Sequence, residues 1–253
     1  MDIGTELYYY VYLILWCVTG VFIIIKAVKS KTINLIHFGL SLISLGLASI
    51  PELFGSYSGA AIFRGIGLIL VLFFIEKTFY EEKKSPFVLF VICLIIGASF
   101  MAIFDLWSKV TPSKLLEYIR DLSFAISIMI PFCWLTFASY SSYKLVKTLE
   151  IEPHIIKRYQ ILGVVAFINL IPATFLSVEI PLAITVMPDF SDIVLIGFLV
   201  SSLLTIVFYY ILWFMPTSVK NYFNKDYTPK VIEEDVEISE EELMKSIRED
   251  IGI

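Results

Sequence analysis

Gly59-Ala60-Ala61-Ile62-Phe63-Arg64-Gly65-Ile66-Gly67 opens an apolar run that continues to Ile75. A run of this length and composition reads as a membrane helix. Arg64 is the one cation set inside any such run of the chain. A guanidinium in hydrocarbon is costly, so arginines in that position usually face protein or water and have a partner. Ala60, Gly67, Leu68 and Val71 share the helical face of Arg64, and Ala61 with Gly65 forms a small-xxx-small pair that lets another backbone come close. Two placements are open. Arg64 either points into a bundle or, about one turn (~6 Å) from the helix start, snorkels to the headgroups.

The rest of the chain repeats the pattern. Of 253 residues, 58% are hydrophobic and 17% charged, and the mean hydropathy is +0.84. A soluble domain has roughly 45–50% apolar and about 25% charged residues. The excess falls into seven stretches: Tyr8–Ile25, Ile33–Ile50, Ala60–Ile75, Pro86–Phe104, Leu122–Ser141, Tyr159–Ser177 and Asp192–Phe214. The expected fold is therefore all-α: a polytopic membrane protein with a seven-helix bundle over residues 1–219. An acidic tail with a short amphipathic helix is expected over 220–253. The tyrosines Tyr8, Tyr9, Tyr10 and Tyr12 suit a membrane–water boundary. Met1 to Leu7 has no basic region and no cleavage site follows, so the first stretch reads as a retained helix. Residues 112–121 place Lys114, Glu117, Tyr118, Arg120 and Asp121 on one helical face and Leu115, Leu116 and Ile119 on the other, an amphipathic lead-in to the fifth stretch. Pro131 is expected to kink that stretch.

Charge assigns the orientation. The loops after stretches one, three, five and seven carry 3, 3, 4 and 3 basic residues, whereas the N-terminus and the loops after two and six carry none. Lys109, Lys114 and Arg120 after stretch four are balanced by Asp105, Glu117 and Asp121. Basic loops stay in the cytoplasm, so the N-terminus is expected outside and the C-terminus inside the cell membrane. Seven crossings satisfy this parity.

The ends assigned to the outside collect ionisable groups: Glu52, Arg64, Arg120, Asp121 and Glu179. An outward-open ligand pocket would pair Arg64 with Glu52 or Glu179, and Asn169 with the carbonyl freed by Pro172 would form its floor. The alternative is a set of ordinary interfacial ion pairs. In the tail, Ser239 and Glu242 form a capping box, and Leu243, Ile247 and Ile251 make an i, i+4, i+8 ridge. Such a short helix is marginal alone, so the ridge is expected to bind a cytoplasmic protein; a solvated, frayed tail is the other reading. Stripes such as Asn34, His37, Ser41 and Ser44, or Ser202, Thr205, Tyr209 and Trp213, suit helix packing, including packing within a homo-oligomer.

Catalytic patterns are absent. There is no HExxH, GxSxG, CxxC or Cys/His cluster, and His37 and His154 stand apart. No enzyme activity, metal or cofactor is expected. Without a large basic patch, nucleic acid is not an expected partner; the lipid bilayer is. One Gln and four Asn, beside many Ile, Lys and Glu, give an archaeal or thermophile-like cast.

The last stretch ends Tyr209-Tyr210-Ile211-Leu212-Trp213-Phe214-Met215-Pro216 and leads through Lys220 and Lys225 into the tail. With an outside N-terminus, residues 7–225 resemble the seven-helix membrane sensor region at the N-terminus of some bacterial and archaeal histidine kinases. The resemblance is architectural and has no diagnostic motif. It implies sensing of a ligand or of membrane state, signalled through the last helix. Roughly thirty tail residues cannot fold into a kinase, so output through a separate partner is expected. A small-solute transporter or channel using Arg64, Asn169 and Glu179, and a non-catalytic membrane assembly subunit, are the alternatives.

Overall fold

The computed structural model describes residues 3–80, 84–148, 151–171, 173–174, 190–225 and 227. Among these residues the chain is all-helical, with no strand. The helices are α1 (Ile3–Ser30), α2 (Ile33–Leu47), α3 (Ser49–Leu53), α4 (Tyr57–Phe79), α5 (Phe87–Val110), α6 (Lys114–Val146), α7 (Pro153–Ile168), α8 (Phe190–Phe214) and α9 (Thr217–Phe223). Among the described residues, five segments are long and apolar enough to cross a membrane: Tyr9–Ser30, Ile33–Leu53, Tyr57–Phe79, Phe87–Val110 and Lys114–Val146. The bent pair Val200–Phe214 and Thr217–Phe223, counted as one, would be a sixth.

Several boundaries differ from those expected of the sequence. Apolar content marks the hydrocarbon-spanning part, whereas the helices run on into polar residues that keep the backbone hydrogen-bonded. Thus α4 begins at Tyr57, α5 continues past Asp105 to Val110, and α6 takes in the whole amphipathic lead-in from Lys114. At 33 residues α6 is about 50 Å long, with Pro131 inside it and no break in the helix. The sixth stretch starts earlier than expected, with Pro153 in the first turn of α7, where its missing N–H is not needed.

One turn sets the geometry of the site. α3 ends past Leu53 in a Schellman motif: Ser56 N–H donates to Pro51 O at 2.8 Å and Gly55 N–H to Glu52 O at 2.9 Å. Gly55 has φ of +67°, which only glycine adopts without strain. Ser56 then caps α4, its Oγ accepting from Gly59 N–H at 3.3 Å. The chain reverses within three residues, so the end of α3 lies beside the first turns of α4.

The helices pack as a ring. α1 packs on α2, α2 on α4, α4 on α5, α5 on α6, α6 on α7, α7 on α8, and α8 back on α1, with α4 also touching α6. α1 and α2 approach closely because Gly20 and Gly39 face each other; a Cβ on Gly20 would lie 2.6 Å from Gly39 O. The core is aromatic toward one end: Phe38 packs on Phe74 (4.8 Å between centroids) and edge-on to Tyr209 (5.0 Å). Ile23, Leu68, Leu72, Ile75 and Leu135 complete it.

Candidate functional site

The α3–α4 and α5–α6 turns lie at the end of the bundle opposite that aromatic core, and their charged side chains converge. Arg64 donates through Nη2 to Glu52 Oε1. Its guanidinium also lies 3.9 Å from the ring centroid of Phe124 on α6. Glu52 is 4% exposed, so the carboxylate is desolvated and the arginine is its counter-charge. Arg64 is therefore turned toward protein.

A second arginine repeats this arrangement. Arg120, on α6, donates Nε to Asp121 Oδ1 at 2.7 Å and Nη2 to Oδ2 at 3.2 Å, a two-pronged pair. Its guanidinium stacks 4.3 Å from the ring centroid of Tyr57 on α4. Tyr57 in turn hydrogen-bonds Tyr9, which brings α1 into the cluster.

Asp105 joins the parts. It is 1% exposed, and its Oδ2 accepts from Ser58 N–H at 2.8 Å and from Lys109 Nζ at 3.1 Å. Arg120 Nη1 lies 4.0 Å from Oδ1. Ser58 is in the first turn of α4, where backbone N–H groups have no partner within the helix. The carboxylate thus caps α4 from a neighbouring helix and sits at the positive end of its dipole. Sequence reading places Asp105 only among loop charges. An Asp with Lys four positions on, at the close of an apolar run, was the available signal.

The cluster is electrically balanced, with Glu52, Asp105 and Asp121 against Arg64, Lys109 and Arg120. Beside it a cleft of about 240 Å³, open mouth included, is lined by Ala61, Arg64, Gly65, Ala98, Phe124 and Ser127 among others. Its enclosed part has room for roughly one water molecule. Asn169 is not among the lining residues, and its Nδ2 donates to Val165 O of its own helix at 2.8 Å. Glu179 and Pro172 lie outside the described residues, as do Leu243, Ile247 and Ile251. Among the described residues, no three His, Cys, Asp or Glu side chains gather as metal ligands would. What the arrangement can do chemically is exchange ion-pair partners: an anionic or cationic ligand group can replace a carboxylate or a guanidinium and release a helix end.

Compared with protein-family models, curated proteins and solved structures, the chain matches none.

Proposed function

We propose that this is a sensor-like membrane protein of seven crossings, with its N-terminus outside and its C-terminus in the cytoplasm. The outer charged cluster receives a small charged ligand or a lipid headgroup, and the last helix passes the change to the tail and a cytoplasmic partner. One observation carries the reading. Two arginines, each held to a carboxylate and to an aromatic ring of another helix, join α3, α4, α5 and α6 at one end through contacts that a charged group can displace. A switch requires an element with two discrete arrangements, and displacing these contacts would supply the second. The alternating basic loops support the orientation. A transporter needs a path for its solute, and the cleft beside Arg64 narrows to about one water.

The test uses the full chain in lipid nanodiscs. Hydrogen exchange is compared between the wild type and Arg64→Gln, which breaks the outer ion pair without a ligand. The expected result is altered exchange at the far end of the bundle, in peptides covering Pro153–Ile168 and Thr217–Phe223. Changes confined to α3, α4 and α6 near the pair would overturn the sensor reading. Cysteines at Ser56 and Ser113 should react with an impermeant maleimide from outside intact cells, and cysteines at Ser30 and Thr148 should not. The reverse pattern would overturn the orientation.

A further inference from the structure

The end of the bundle opposite the Arg64 cluster carries a second polar group that the proposed site does not use. α8 stops at Phe214, Met215 has φ of +23°, and Pro216 caps α9, which leaves at 80° to Val200–Phe214. A non-glycine residue at positive φ is strained and persists only when surrounding contacts hold it. Asn224, just past α9, ties the far end of this bend to the start of α7. Its Oδ1 accepts from His154 N–H at 3.1 Å, and its Nδ2 donates to Glu152 Oε2 at 2.9 Å. Both partners lie about seventy positions earlier, at the start of α7, and the first bond satisfies a donor that α7 cannot.

Glu152 Oε2 is also 2.9 Å from His154 Nδ1 and 3.9 Å from Lys220 Nζ of α9. Asn224 Nδ2 lies 3.2 Å from the same Nδ1. An amide nitrogen can only donate, so the two nitrogens share the carboxylate most favourably when both point hydrogens at it. This assigns the Nδ1–H tautomer to neutral His154 and leaves Nε2 to take a second proton.

We propose that Asn224, His154 and Glu152 form a proton-responsive latch that fixes the direction in which the chain leaves the last long helix: shut with His154 neutral, open with it protonated. His154 is 5% exposed, so a second proton puts a whole charge in a poorly solvated position. The charged groups acting on the ring are Glu152 before α7, Arg158 one turn along it, and Lys220 on α9. Burial pushes the imidazole below its ordinary range; Glu152 opposes this, and Lys220 and Arg158 add to it. The latch deepens the proposed function, in which the last helix carries the output, but its test needs neither ligand nor partner.

Spin labels are placed on Thr148→Cys and Tyr222→Cys in the full chain, with Cys17, Cys93 and Cys133 changed to Ala, in nanodiscs. Distances are measured at about pH 8 and about pH 5.5, either side of the ordinary imidazole range. One narrow distribution is expected at the higher pH, and a broad population several-fold larger at the lower. His154→Asn, whose amide nitrogen takes the place of Nδ1 and cannot be protonated, should stay narrow at both. Asn224→Ala should be broad at both. A wild-type distribution unchanged by pH would overturn the proton response, and a narrow Asn224→Ala distribution would overturn the latch. Should Asn224→Ala fail to fold, Asn224→Asp serves instead. It sets a second carboxylate against Glu152, so it should be broad already at about pH 8, and a narrow distribution there would count against the latch.

Discussion

Glu52 and Arg64 are twelve positions apart and meet because a single glycine-closed turn folds α3 back against α4. The carboxylate is almost fully buried and the arginine about one-sixth exposed, so the two residues are not equivalent. Arg64→Ala leaves a buried charge unpaired and should cost about 3–5 kcal/mol. Arg64→Ala with Glu52→Leu removes both charges and should recover most of the loss. Thermal midpoints of the three proteins in one lipid environment check this, and a double variant no more stable than Arg64→Ala would contradict it.

Asp105 makes two kinds of contact, a backbone cap and ion pairs, and two substitutions separate them. Asp105→Asn keeps an oxygen for Ser58 N–H but loses the charge opposite Lys109 and Arg120. Asp105→Ala loses everything and exposes an orphan donor, a penalty of about 1–3 kcal/mol beyond the asparagine variant. The expected order of stability is wild type, then Asn, then Ala. Hydrogen exchange at the first turn of α4 should rise most in the alanine variant.

The glycine contact between α1 and α2 should tolerate no methyl group. On Gly20 it would meet Gly39 O at 2.6 Å and Ile43 Cγ1 at 2.7 Å, and the first is backbone. Gly20→Ala should destabilise by about 1–3 kcal/mol. On Gly65 the nearest atom is Ala98 Cβ at 3.5 Å, ordinary contact, so Gly65→Ala should be neutral or slightly stabilising by helix propensity. Equal effects at the two positions would contradict the packing.

These contrasts show how far the residues alone could be read. The apolar runs locate the long helices, and the cost of a guanidinium in hydrocarbon points to a partner for Arg64. Glu52, a short chain distance away, is legible as one of two candidate partners, with Glu179 the other. The role of Asp105 is not, because its burial depends on Ser58 from α4 and Arg120 from α6 arriving beside it. Phe124 and Tyr57, the rings beneath the two arginines, look like any other aromatics in an apolar run. The Glu152–His154–Asn224 contact spans about seventy residues and depends on the bend at Met215 and Pro216, which no periodicity encodes. Asn169 looked like a polar group at depth, yet its amide is spent on its own helix, the local bond that Asn readily makes.

The His154 contact also gives a pH dependence of stability. Burial lowers the proton affinity of the imidazole in the folded chain relative to the unfolded one. Above the ordinary imidazole range both states are neutral and the stabilising contribution is complete. As pH falls through about 6.5 the unfolded chain takes up the proton first, and stability declines until the lower folded value is passed. The thermal midpoint should therefore drop on acidification from about pH 7.5 to about pH 5.5, and His154→Asn should flatten that drop. Parallel curves for the two proteins would contradict the assignment.

The turn of 80° after Phe214 has a mechanical consequence. A straight stalk would carry only sliding along its axis, but an arm set nearly crosswise to its shaft works as a crank. α9 has seven residues and is about 10 Å long, so a rotation of α8 by about 20° would sweep its far end some ~3–4 Å sideways. A small twist of α8 would thus become a displacement about the size of a side chain at the point where the acidic segment begins.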